Sequence, residues 1–316
     1  MAVTIRELAK ACRVSTATVS RVFNQHPSVK PETRERVLRL ARKHGYAPRV
    51  TARRSCLAVV VEGFEAIELA GYSGMLIAAL SREIYTRGVQ MEIVRAADIP
   101  LLRAKCVSGV VACVYGERAL ARLGELDGIP TVTINTRVPR TPAVISNDRQ
   151  GMKLAVEHLV AAGHKRIAAL RRGGDNLNKQ ARDRGYVEAM TAAGLEADLL
   201  FPAVQSAGIV EAVAKILRQG ATAIVGTGEE LGPAMAYAAQ LLDRRVPGDV
   251  SLLGFERQGV SCYTFPPQTT IKQDFAGLAA SALNVLERAQ AGKKPARVIS
   301  IDYQLIERES VGPANG

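Results

Sequence analysis

The sequence predicts an α/β protein that carries a small all-helical module at its N-terminus. Residues 1–56 hold thirteen Lys or Arg against three acids (Glu7, Glu32, Glu35), so ten of the twelve net positive charges sit in that short segment. Within it, apolar residues recur at helical spacing; beyond it, short β-branched runs alternate with amphipathic stretches of helix length. With 47% hydrophobic residues in 316, the chain has ample material for a buried core and is not a disordered polymer.

The first helix has a defined start. Thr4-Ile5-Arg6-Glu7 is a capping box, in which the Thr4 hydroxyl accepts the Glu7 amide and the Glu7 carboxylate reaches back. Ile5, Leu8, Ala9 and Cys12 then form one apolar stripe. Arg13-Val14 makes a short turn, and Ser15 caps a second helix running to about Asn24, with Val19, Val22 and Phe23 inward and Thr16, Ala17, Ser20 and Arg21 outward. Pro31 opens a third helix that buries Val37, Leu40 and Ala41 and stops near Gly45. Three short helices with a tight turn between the first two form a helix-turn-helix unit.

A solvated basic tail would lack these stripes. A folded basic module is drawn to phosphates by counterion release, and the outer face of its second helix suits the major groove of DNA. Thr16 and Ala17 allow close approach, and Arg21 can give two parallel hydrogen bonds to guanine O6 and N7.

In the body, strands are expected at 57–61, 90–94, 109–114, 131–134, 166–170, 223–225, 251–253 and 297–301. Helices are expected at 75–87, 151–162, 182–193, 209–219, 231–242 and 278–291. The alternation implies a largely parallel sheet covered by helices on both faces. Composition leaves open whether the strands form one wide sheet or two smaller ones.

Several classes fall away. No window approaches 18 uninterrupted apolar residues, and Met1-Ala2-Val3-Thr4-Ile5-Arg6-Glu7 has no apolar run of a secretory signal, so neither membrane insertion nor export is expected. Five scattered cysteines (Cys12, Cys56, Cys106, Cys113, Cys262) point to a reducing cytoplasm rather than a disulfide framework or a metal site. Gly226-x-Gly228-x-x-x-Gly232 lacks the spacing of a dinucleotide fingerprint and the acidic residue that completes it. His158 and His164 have no nucleophile or metal-ligand partner at helical spacing. No enzyme and no cofactor are expected. A free-standing solute-binding protein is the remaining rival, and the basic N-terminal module argues against it.

The run Val3-Thr4-Ile5-Arg6-Glu7-Leu8-Ala9, followed by Val14-Ser15-Thr16-Ala17-Thr18-Val19-Ser20-Arg21-Val22-Phe23-Asn24, resembles the headpiece of the lactose-repressor (LacI/GalR) family. Glu32-Thr33-Arg34-Glu35-Arg36-Val37 and Gly45-Tyr46-Ala47-Pro48 continue the likeness. The resemblance implies base reading by Thr16, Ala17 and Arg21, and phosphate contacts from Thr4, Ser15, Thr18, Asn24 and Thr33. Lys30 stands where the family often has a small hydroxyl residue. In the family a hinge helix then places a leucine in the minor groove. Here Ser55 falls at that hinge position, in a shortened stretch, and cannot push a base step apart, so the operator is expected to be bent less, or Arg53 and Arg54 to enter a narrow minor groove, or else Leu57 to serve as the wedge after a small shift.

The likeness extends through the body. It is carried by Gly151-Met152-Lys153-Leu154-Ala155-Val156-Glu157-His158-Leu159, Gly163-His164-Lys165-Arg166-Ile167-Ala168, Arg182-x-x-Gly185-Tyr186, Val246-Pro247-x-Asp249-Val250-Ser251 and Gly254-Phe255. Thr269-Thr270-Ile271-Lys272-Gln273 and Leu305-Ile306-Glu307-Arg308-Glu309-Ser310 complete it. It implies two Rossmann-like subdomains in a periplasmic-binding-protein-like effector domain, joined by three crossovers. The expected domains are a headpiece at 1–47, a hinge at 48–56 and an effector-binding and dimerisation domain at 57–316. Within the last, an N-subdomain spans about 57–161 and 275–301, and a C-subdomain about 162–274 and 302–316. A small-molecule effector is implied, with Tyr72, Arg182, Glu256, Gln273 and Phe275 as its candidate contacts. From the residues alone, the plainer role for Arg182 is a surface ion pair with Asp183 or a neighbour.

Glu256 replaces the family's usual aspartate, and Thr227-Gly228 replaces a common Asn-Asp pair. Residues 96–105 are also fewer than their usual counterpart. A sugar or sugar acid is the first expectation for the effector, with a nucleobase, a nucleoside or no small ligand as alternatives. The implied partners are a pseudo-palindromic DNA operator, the effector and a second copy of the chain in a homodimer.

Overall fold

Thr4 closes its capping box on Glu7 in both directions and opens α1 (Ile5–Cys12). The computed structural model describes residues 3–23, 28–46, 56–62, 71–173, 177–204 and 208–314. Arg13 takes the left-handed conformation (φ 51°) that turns the chain out of α1 into α2 (Thr16–Phe23). α3 (Pro31–Lys43) follows, and Gly45 (φ +62°) ends it, with the Tyr46 amide bonded back to the Ala41 carbonyl at 2.8 Å. Leu8, Ala9, Cys12, Val19, Val22, Val37 and Ala41 form the core between the three helices.

Leu38 joins that core while Leu40, expected inside, is only half-buried. The reason is that α3 is covered on a second side, by a 3₁₀ helix at Ala96–Ala104.

The body runs β1 (Cys56–Val61), α4 (Tyr72–Thr86), β2 (Gln90–Val94), the 3₁₀ helix, β3 (Gly109–Cys113), α5 (Glu117–Gly124), β4 (Thr131–Ile134), β5 (Ala143–Ser146) and α6 (Asp148–Ala161). It continues through β6 (Ile167–Arg172), α7 (Leu177–Ala192), β7 (Leu200–Val204), α8 (Ile209–Arg218), β8 (Ala223–Gly226), α9 (Leu231–Leu241) and β9 (Ser251–Phe255). β10 (Thr269–Lys272), α10 (Phe275–Gln290), β11 (Val298–Ile301) and β12 (Gln304–Ile306) complete it. The strands form two six-stranded sheets, ordered β11-β5-β4-β3-β1-β2 and β12-β10-β9-β8-β6-β7. β1 pairs in parallel with β2 and β3, and β6 with β7 and β8, while β12 runs antiparallel to β10. Residues 57–61, an unbroken apolar run, are all buried, as a central parallel strand requires.

The chain divides into two compact units, the first made of Met1–Leu69, Ser73–Ile145 and Ala276–Ile299, the second of Ala70–Tyr72, Ser146–Phe275 and Ser300–Gly316. The division falls before α6 rather than after residue 161, the expected boundary. α6 packs along its length on α7 and on β10 and β12, which are all in the second unit. Gly185 allows that approach, since a Cβ there would stand 2.7 Å from the Arg149 carbonyl oxygen. Among the described residues no helix is long and apolar enough to cross a membrane.

Candidate functional site

In the helical module, the Ser15 hydroxyl accepts the Thr18 amide at 3.0 Å and so caps α2. Thr16, Ala17, Ser20 and Arg21 are exposed along that helix, and Thr18 is half-buried with its hydroxyl 2.9 Å from Ser15 Oγ. Thr4 heads α1, its hydroxyl 2.9 Å from the Glu7 carboxylate, and its backbone amide donates to the same group and holds the Glu7 pKa down. Thr33 is half-buried in the first turn of α3, whose preceding Lys30 supplies no side-chain cap. Three helix N-termini therefore carry the candidate phosphate contacts, each a place where free amides and the helix dipole favour an anion.

Asn24, Arg53, Arg54 and Ser55 lie outside the described residues. Leu57, the alternative wedge, sits in the first sheet. It is 5% exposed, inside β1, in register with Met91 on one side and Gly109 on the other.

In the second unit, β6 is flanked by β7 and β8, so the winding reverses there and opens a crevice at the strand C-termini. The candidate effector residues gather at such ends: Glu256 directly after β9 and Gln273 directly after β10, with Arg182 on α7 after β6. Arg182 is 16% exposed and does not pair with Asp183, which binds Arg171 at 3.1 Å. Its Nε donates to Asp148 Oδ1 at 2.7 Å, Nη1 to the Thr227 carbonyl at 2.5 Å and Nη2 to the Tyr303 hydroxyl at 3.2 Å. The guanidinium carbon stands 3.9 Å over the centre of the Phe255 ring, and Tyr303 donates to the same Asp148 oxygen at 2.9 Å. Burial alone would lower the Arg182 pKa, but the Asp148 carboxylate outweighs it and holds the group charged. Burial, reinforced by Asp148, pushes the Tyr303 phenol up. Gly151 makes room for this tyrosine, since a Cβ there would stand 2.9 Å from Tyr303 Cδ2.

Glu256 is held differently. Arg308 Nη1 donates to its Oε2 at 2.9 Å and Nη2 to its Oε1 at 3.3 Å, while the Thr270 hydroxyl donates to Oε2. Gln273 donates its amide to Ser146 Oγ. The Tyr72 and Phe275 rings lie 5.6 Å apart at 53°, and the Tyr72 amide donates to Glu229 Oε1 at 2.7 Å. The structure therefore sorts the five candidates into an arginine cluster, a glutamate–arginine pair, an aromatic pair and an amide.

Asp148, Tyr303, Phe255 and Arg308 were not foreseen as site residues. Phe255 and Arg308 lie inside matched motifs, and an Asp in the first turn of the helix that carries Gly151 is a usable signal for Asp148. Tyr303 has none, because its partner lies 121 residues earlier in the chain.

His164 is buried, with Nδ1 2.9 Å from Thr222 Oγ1 and Nε2 2.9 Å from Ser251 Oγ and 3.1 Å from the Gly312 carbonyl. It ties the turn after α6 to the second sheet. Among the described residues, no group of three or more His, Cys, Asp or Glu could hold a metal ion.

Comparison with known proteins agrees with both halves of this arrangement. Residues 4–49 match the family model for bacterial regulatory proteins of the lacI family, and residues 156–311 match that for a periplasmic binding protein-like domain. The HTH-type transcriptional regulator DegA of Bacillus subtilis (strain 168) is 28% identical over 340 residues, covering 100% of both chains. The HTH-type transcriptional repressor PurR of Escherichia coli O1:K1 / APEC is 29% identical, covering 98% of this chain and 96% of that one. Among solved structures, a complex of the transcriptional regulator CelR with cellobiose superposes with a TM-score of 0.71 at 25% identity, covering 98% of this chain and 99% of the other. A dimer of the Lac repressor bound to operator and the anti-inducer ONPF superposes at 0.72 and 23% identity over 99% and 100%, a likeness of fold.

Proposed function

The chain belongs to the lacI family of bacterial regulatory proteins, and from that premise we propose that it is a dimeric, cytoplasmic transcriptional repressor whose hold on a pseudo-palindromic operator is set by a small molecule. The exposed face of Thr16, Ala17 and Arg21 on a capped helix, in the segment that carries ten of the twelve net positive charges, supports the DNA-reading half. Thr4, Ser15, Thr18 and Thr33 take the phosphates on either side. Two copies on one dyad present two such helices to two half-sites. The domain plan keeps a DNA-binding head, a hinge and a two-part sensor, with the internal boundary of the sensor at residues 145–146.

The observation that carries the sensing half is the arginine cluster at the strand ends of the second sheet. Arg182 is balanced by Asp148, and Glu256 by Arg308, so neither pair offers a net charge to a ligand. A neutral, hydroxyl-rich effector suits such a site better than an acid, because it exchanges hydrogen bonds with the paired groups without stripping either of its counter-charge. The CelR structure with cellobiose supplies a family precedent for a neutral sugar. Tyr72 and Phe275 offer ring faces to such a ligand, and equally to a purine, which is the second reading. A ligand that prefers one conformer of the sensor shifts the population and thereby the affinity for operator.

A thermal-shift screen of neutral saccharides, sugar acids and purines, followed by operator binding with each hit, tests the reading. A neutral saccharide is expected to raise the melting temperature and to change operator affinity. Response to sugar acids alone would overturn the ligand class. For the DNA half, Arg21→Ala is expected to lose about 1–3 kcal/mol at a guanine-containing operator position, measured against the base-substituted site. An unchanged preference there removes Arg21 from the base-reading set.

A further inference from the structure

We propose that the helical module is not merely tethered by the linker but is seated on the first sheet of its own subunit, through a two-point joint at Lys105 and Cys106. The first point is on α3. Arg42 lays its stem beside Gly128, where a Cβ would stand 3.5 Å from Arg42 Cβ, and its Nη2 donates to the Lys105 carbonyl at 3.2 Å. Leu38, one turn earlier on the same side of the helix, is 3% exposed. The second point is on α2. The Cys106 thiol donates to the Val22 carbonyl at 3.7 Å, at the C-terminal end of that helix, and packs against the core of the module. Burial lowers the Arg42 pKa, as it does for a guanidinium drawn out of water to reach a single carbonyl.

The seat is itself anchored to three neighbouring strands. Lys105 pairs through its side chain with Glu92 of β2. Ser108 donates its amide to the Cys56 carbonyl at 2.8 Å and its hydroxyl to the same oxygen at 3.0 Å, at the start of β1. Gly109 then begins β3. A shift at this end of the sheet is carried into α2 and α3 through rigid parts, without passing through residues 47–55. The base-reading side chains point away from the seat, since Thr16, Ala17 and Arg21 remain exposed while Val22 and Leu38 are covered. The joint therefore sets the direction in which α2 is presented while leaving its reading face free. It does so in a chain whose hinge departs from the family pattern at Ser55.

The docking is independent of the identity of the effector, and it is tested on the full-length protein without ligand or DNA. Amide ¹⁵N relaxation of residues 4–43 is compared with that of residues 90–134, in the unaltered chain and in an Arg42→Ala/Leu38→Ser double variant. With the joint in place, the module tumbles at the rate of the sheet; in the variant it tumbles faster. Alkylation of Cys106 by N-ethylmaleimide, normalised to the exposed Cys262 within the same molecule, is expected to rise about tenfold in the variant as the joint opens. Because Leu38 also borders the module's own core, the single variant Arg42→Ala is run alongside and is expected to move both readouts in the same direction. A module that tumbles independently in the unaltered chain, or relaxation and alkylation unchanged in both variants, overturns the proposal.

Discussion

Arg182 shows how a single side chain can be well placed and already occupied. Its guanidinium reaches a carboxylate, a carbonyl, a hydroxyl and an aromatic face, none of them supplied by α7 itself. Asp148→Ala is expected to cost about 3–5 kcal/mol, because it leaves a buried cation and a buried phenol facing each other without their shared acceptor. Urea denaturation should show the midpoint falling with the slope unchanged. His164 gives a pH dependence of known sign. Burial lowers its pKa below the ordinary 6.5, so the folded chain keeps the ring neutral while the unfolded chain protonates near 6.5. Its contribution is intact above that value and is lost as pH falls through the depressed folded value. Denaturation midpoints at about pH 7.5 and about pH 5.5 should differ in the parent more than in His164→Gln. The motif Arg182-x-x-Gly185-Tyr186 made this arginine legible in the sequence. Its partners were hidden because they sit on other elements, 34 and 121 residues away.

Among elements, legibility followed length and pattern. β1 and β4 were readable to within a residue, being apolar or β-branched over four to six positions, and β2 was readable from Met91, Ile93 and Val94 although Gln90 and Glu92 interrupt it. β12, with three residues, is too short to show a period, and β7 has a proline inside it. β10 was noticed as a motif and not as a strand, since Thr269, Thr270 and Ile271 are all buried and show no alternation. The start of α1 was readable because its cap is local chemistry within four residues. Leu57 illustrates the limit of motif transfer: being near in sequence to a hinge position says little once the residue is locked into a strand ladder. Leu57→Ala is expected to destabilise the protein by about 2–5 kcal/mol while leaving operator bending unchanged in circular-permutation gels. A lost bend at full stability would return Leu57 to the minor groove.

For the whole molecule, the uneven charge separates the two tasks. Removing residues 1–55 takes away nearly all the net positive charge and spares every candidate effector contact. The truncated chain is expected to keep its ligand-induced thermal shift and to lose operator binding in gel-shift titration. Retained operator binding would overturn the assignment of the head. The two-sheet plan was readable only through the family likeness, because composition and periodicity are the same for one wide sheet and for two. The docking of α3 on the 3₁₀ helix was not readable at all, since it joins surfaces whose residues look ordinary in isolation: a leucine, an arginine, a cysteine.

The first unit takes its closing pieces from residues 276–299, and β5 finds its outer neighbour only in β11. During synthesis, a ribosome that has already delivered most of the second sheet still holds back the strand that completes the first. The edge of β5 stays open for the last stretch of translation, so the earlier half of the chain matures after the later half has begun to fold. Nascent chains ending near residue 270, which lack α10 and β11, should be cut by protease in the first unit more readily than the released full-length chain.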